Sequence, residues 1–177
     1  MAEDSELRRL LTELQEVCDP PLSPAERILL TTDGTVTRAL ESLALAPVDV
    51  DIVRREVENS TLYRCVTLEP ESSRPAITAK TEVDLDAVGG ALERKLLSDH
   101  RGLGRLLYEG EFETRRDIRE IDYQKEAPRF ASESRGPYLT RWYTISLDGE
   151  EFTSITEYFS RPELRDLCTR SRTQGQK

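Results

Sequence analysis

The 177-residue chain is one domain long, and its 37% of apolar residues, spread along most of its length, are enough to bury a core. Asp and Glu outnumber Lys and Arg by 34 to 25, a net charge of -9, so the molecule as a whole repels a phosphate backbone and general nucleic-acid binding is disfavoured. No run approaches the roughly 20 apolar residues of a membrane span, and the acidic opening Met1-Ala2-Glu3-Asp4 lacks the basic start of a signal peptide; a cytoplasmic protein without membrane contact is expected.

Leu7, Leu10, Leu11, Leu14 and Val17 recur at helical spacing and predict a first helix over 5–17, stopped by Asp19-Pro20-Pro21. Ser23-Pro24-Ala25-Glu26 combines an N-cap serine, a proline at the first helical position and a glutamate able to close a capping box, so a short helix runs through Leu30. After the Asp33-Gly34 turn a third helix is predicted from Thr35 to about Leu45. From Val48 the hydrophobic period changes to two, and Val48 to Ile52, Leu62 to Leu68 and Ala76 to Val83 read as three strands of a meander.

Helical spacing returns through Val88, Leu92, Leu96 and Leu97, with Gly89-Gly90 weakening or kinking the helix, and 102–107 adds one or two further turns. Phe112 to Tyr123 is strand-like but charged, and a polar loop covers 125–137. Tyr138 to Leu147 and Glu150 to Phe159 flank Asp148-Gly149, a two-residue hairpin signal. A short helix to Cys168 and a polar tail over 169–177 end the chain. This order predicts an α+β domain over 1–177 with a single six-stranded antiparallel sheet and helices packed on one face.

Cys18, Cys65 and Cys168 have no Cys-x-x-Cys spacing, and the one histidine, His100, has no ligand-spaced neighbour, so no metal site or Cys-His nucleophile is expected. Cys65 reads as a small buried hydrophobe of a strand and His100 as a surface loop residue. Gly102-x-Gly104 lacks the third glycine and the preceding strand of a dinucleotide turn.

Two charges fall where charges do not belong. Arg64 shares a strand face with Leu62, Val66 and Leu68, and Glu157 shares one with Ile155 and Phe159. An isolated buried charge costs several kcal/mol, so each needs a partner in the protein or in a ligand. Two accounts are open: a structural ion pair or a snorkel to the sheet edge, and a ligand cavity in which the arginine fork meets a carboxylate while the glutamate accepts from a hydroxyl. Lys80 is either a second cation of that cavity or an exposed edge-strand lysine. Of Arg115 and Arg116, adjacent on one strand, at most one can face it.

Ile28 to Arg38, Tyr63 to Leu68, Gly102 to Leu107, Glu113 to Ile118 and Ile155 to Phe159, in this order and spacing over residues 22–160, resemble the successive landmarks of the chorismate pyruvate-lyase family, most of all its archaeal-type branch. The resemblance implies a six-stranded antiparallel sheet with helices on one face and a cofactor-free elimination of pyruvate from chorismate to give 4-hydroxybenzoate, buried beneath two helical flaps. It implies that Arg64 grips the ring carboxylate, that Glu157 meets the hydroxyl across the ring, and that the backbone N–H groups of Val36 and Leu103 also bind the carboxylate. Lys80 stands where those enzymes carry a second arginine near the enolpyruvyl end, and Val83-Asp84-Leu85 lacks their proline.

The site residues expected are therefore Arg64, Glu157 and Lys80 as the catalytic set, with Val36 and Leu103 binding substrate, and chorismate or a hydroxybenzoate as the small-molecule partner. The alternative is a non-catalytic aromatic-acid binding domain of the same fold, which resembles the effector-sensing domains of certain helix-turn-helix repressors; the roughly 47 residues ahead of the sheet carry no basic face for a DNA-binding role. A third reading keeps the elimination but yields another hydroxybenzoate isomer. The sequence does not fix the oligomeric state, a monomer being favoured.

Overall fold

A computed structural model describes residues 2–71, 73–98, 102–110, 112–126 and 134–174, with side chains described between 6 and 170. Helix α1 (Ala2–Val17) runs to the predicted end but begins earlier than Ser5. In α2 (Pro24–Thr31) the capping box forms as expected: the Ser23 hydroxyl accepts from the Glu26 N–H at 3.2 Å, and the Ser23 N–H donates to Glu26 Oε2 at 2.6 Å. Helix α3 (Val36–Ala44) ends on Leu45 in the left-handed conformation.

The strands are β1 (Val48–Glu58), β2 (Thr61–Pro70), β3 (Ile77–Asp84), β4 (Thr114–Gln124), β5 (Tyr138–Leu147) and β6 (Glu150–Ser160), arranged β1-β2-β3-β6-β5-β4 with every neighbour antiparallel. Two tight turns set the register. Asn59-Ser60 and Asp148-Gly149 all have positive φ, the twist that lets a two-residue loop join adjacent strands. Strand β1 outruns its apolar alternation by six residues because pairing with β2 continues past a bulge between Ile52 and Arg54.

Between β3 and β4 lie α4 (Leu85–Val88), α5 (Gly90–Ser98) and α6 (Leu103–Glu109). Gly89 and Gly90, both at positive φ, split the predicted helix into α4 and α5. Helix α7 (Arg161–Gln174) passes the predicted stop at Cys168, since no glycine or proline follows to end it there. His100 and most of the predicted 125–137 loop lie outside the described residues.

Helices cover one face of the sheet, and Leu29, Leu30, Leu40, Leu62, Ile77, Leu92, Leu96, Leu106 and Phe159 are completely buried between the layers. A buried ion pair ties the first helices to the last: Arg161 Nε donates to Glu26 Oε1 at 2.7 Å, and Arg161 Nη2 donates to the Pro20 carbonyl. Burial alone would raise the Glu26 carboxyl, but Arg161 and the Ser23 N–H and hydroxyl together hold it below its ordinary value. No helix of the described residues is long and apolar enough to cross a membrane.

Candidate functional site

The alternation of each strand decides which side chains enter the layer between sheet and helices. Across the sheet, Arg64, Thr81, Ile155 and Tyr143 form one row of the covered face, and Val66, Ala79, Glu157 and Arg141 form the next. Arg64 is 3% exposed, Glu157 2% and Arg141 1%, so both charges singled out in the sequence are buried on the same inner face. They do not pair by simple adjacency: two strand spacings and two residues along the strand separate their Cα atoms by about 12 Å.

Glu157 is neutralised by Arg141, whose Nε and Nη2 both donate to Oε2, at 2.9 and 2.5 Å. Arg141 Nη1 donates to the Leu29 and Thr32 carbonyls at the end of α2, which fixes the guanidinium from behind. The Tyr143 hydroxyl donates to the other oxygen, Oε1, at 3.1 Å. Burial, and then the Glu157 charge, push the Tyr143 phenol well above its ordinary value, so it remains a donor. A carboxylate oxygen accepts two hydrogen bonds, and Oε1 keeps a lone pair for a ligand hydroxyl.

Glu157 lines a cavity of about 60 Å³ between sheet and helices. Its floor exists because β3 contributes the small residues Ala79 and Thr81 between the larger Val66 and Ile155. Its roof is the opening turns of α3 and α6, with Val36 and Leu103, the first residue of each, among the lining. First-turn N–H groups have no acceptor within their own helix, so both residues carry donors that suit an anion. Arg64 is beside the cavity and not one of its walls: it is paired across the strands with Thr81, which is.

The two roof helices meet closely. A Cβ on Gly104 would sit 3.2 Å from Thr35 Cγ2, closer than ordinary packing, and the Arg38 guanidinium of α3 lies 4.2 Å from the centre of the Tyr108 ring of α6.

One expected member of the site is misplaced. Lys80 projects from the opposite, outer face of the sheet, with a 47% exposed side chain, and pairs with Glu82 at 2.6 Å. Ile77, Ala79, Thr81 and Val83 are the inward positions of β3, and a lysine out of step with them cannot reach the cavity. Lys80 is thus the exposed lysine of the alternative reading, although on a central strand and not an edge. Arg116 resolves the choice left open on β4: it is paired with Ile145 on the inner face and lines the cavity, while Arg115 points outward to Asp117.

Sequence reasoning missed Arg141 and Tyr143. The signal was present, since Leu139, Arg141, Tyr143 and Ile145 alternate on one face of β5 as Arg64 and Glu157 do on theirs. Arg55 was missed because the β1 bulge, invisible in the sequence, turns it inward opposite Arg64. It spends its charge on the Leu96 and Leu97 carbonyls at the end of α5.

A sequence model of the family described as Chorismate pyruvate-lyase Rv2949c-like matches residues 30–167, which takes in all six strands and both roof helices. The chain belongs to that family. A Methanocaldococcus jannaschii protein named "Putative lyase MJ0807" is 30% identical over an alignment of 151 residues that covers 79% of this chain and 80% of that one. Among solved structures, gene product SA0254 of Staphylococcus aureus superposes with a TM-score of 0.54 at 12% identity, covering 73% of this chain and 89% of its own, so the two share the fold. A transcriptional regulator of the GntR family from Bacillus cereus gives 0.48 at 12% identity, covering 65% and 92%.

Proposed function

We propose that this Rv2949c-like chain eliminates pyruvate from chorismate to give 4-hydroxybenzoate. The observation that carries the reading is Glu157: a buried carboxylate that lines a hollow, on the same face as a buried arginine and beneath the opening turns of two helices. A para-substituted benzoate has matching ends. Its carboxylate goes to Arg64 and the N–H groups of Val36 and Leu103, and its hydroxyl to Glu157.

In the reaction, the bond between the ring and the enolpyruvyl oxygen breaks, and its electron pair leaves with enolpyruvate. The hydroxyl-bearing ring carbon loses its proton, and the C–H electron pair completes the aromatic ring. Glu157 is the sole carboxylate among the described residues that line the cavity, so it both orients the hydroxyl and takes that proton. Aromatisation supplies much of the driving force, which leaves the protein to bind, orient and exclude water.

The test is incubation of the purified protein with chorismate, followed by ultraviolet absorbance and chromatography. Equal amounts of 4-hydroxybenzoate and pyruvate are expected without any added cofactor. Unchanged chorismate together with tight hydroxybenzoate binding would make the protein a binder instead, and a different hydroxybenzoate isomer would reassign the regiochemistry.

A further inference from the structure

Arg116 is the one cation among the described residues that line the cavity. Arg141 and Glu157 cancel each other. Arg116, on the inner face of β4, forms no ion pair among the described residues, in contrast to its neighbours Arg115 and Arg119, which pair with Asp117 and Glu151. Its Nη1 donates to the Asp33 carbonyl at 2.6 Å, and Nη2 lies 3.7 Å from where a Cβ on Gly104 would stand. Its Nε is buried and has no hydrogen-bond partner among the described residues. A buried guanidinium N–H without an acceptor is costly, and the group as built awaits an anion.

Its location specifies which anion. Gly34, Thr35, Gly104 and Arg116 line both the inner cavity and a groove of about 460 Å³ that opens outward between α3 and α6. Arg116 therefore stands at the neck, on the β4 side, whereas Arg64 flanks the cavity from β2 at the other side of the sheet. In a ring held by Arg64 and Glu157, a substituent on the side facing α3 and α6 would point toward that neck.

We propose that Arg116 binds a second carboxylate, carried on an arm beyond the ring, and so selects ring dianions over simple benzoates. The assignment rests on the reading of this cavity as the site for a ring carboxylate. It gives Arg116 the part that Lys80, on the far face, cannot play.

Binding of two stable probes tests it by calorimetry: 4-hydroxybenzoate, and 3-(carboxymethoxy)-4-hydroxybenzoate, which adds an ether-linked carboxylate. The unaltered protein should prefer the second. Arg116→Gln should weaken the dianion by about 10- to 100-fold, the worth of a charge-assisted hydrogen bond, with 4-hydroxybenzoate changed less than about twofold; Arg116→Lys should keep part of the preference and Arg115→Gln all of it. An equal loss for both probes would make Arg116 structural, and no loss for either would remove it from the site. Chorismate turnover with an unaltered preference in Arg116→Gln overturns this assignment alone. Absent turnover with an Arg116-dependent preference overturns the lyase reading and leaves the assignment standing, and failure of the unaltered protein to bind either probe overturns both.

Discussion

Arg141→Met is expected to destabilise the protein by about 3–5 kcal/mol, because it leaves Glu157 as an uncompensated buried charge. The side chain is 1% exposed, and every one of its three nitrogens is committed, two to Glu157 Oε2 and one to the Leu29 and Thr32 carbonyls. Methionine fills similar volume but supplies none of those donors. Denaturant unfolding followed by circular dichroism measures the loss. The double variant Arg141→Met, Glu157→Leu should regain much of it, since removing both partners of a buried pair is often close to neutral. A loss below about 1 kcal/mol in the single variant would mean that Arg141 is not what keeps Glu157 in the core.

Arg64→Ala is expected to weaken 4-hydroxybenzoate binding by about 2–5 kcal/mol, from roughly 30-fold to several thousand-fold, because both the planar fork and a desolvated charge are lost. The residue is 3% exposed, on the row that contains Thr81, a wall of the cavity. Arg64→Lys should recover part of the affinity, since a point charge cannot reproduce two parallel hydrogen bonds. Titration calorimetry on both variants decides the point, and unchanged affinity in Arg64→Ala would remove the carboxylate clamp.

The sheet and its covered face were readable because a strand declares its orientation every second residue. That period identified Arg64 and Glu157 as inward charges, and it would have identified Arg141 by the same logic. It also argued against Lys80, which is out of phase with Ile77, Ala79, Thr81 and Val83; the family resemblance suggested a role that the phase of β3 does not permit. Other features left no local trace. The bulges at Ile52/Arg54 and Ile118/Glu120 shift which residues face inward, returning Ile121 to the core in place of Glu120, and a bulge depends on the partner strand as much as on its own. The Glu26–Arg161 pair joins positions 135 residues apart, and only the fold brings them together.

The central claim is one ring in one orientation, which a crystal structure of the protein with 4-hydroxybenzoate tests most directly. The ring is expected above Ala79 and Thr81, its hydroxyl about 3 Å from Glu157 Oε1 and its carboxylate toward Arg64 and the first-turn N–H groups of Val36 and Leu103. A ring bound on the outer face of the sheet, or turned so that its carboxylate meets Glu157, would contradict it.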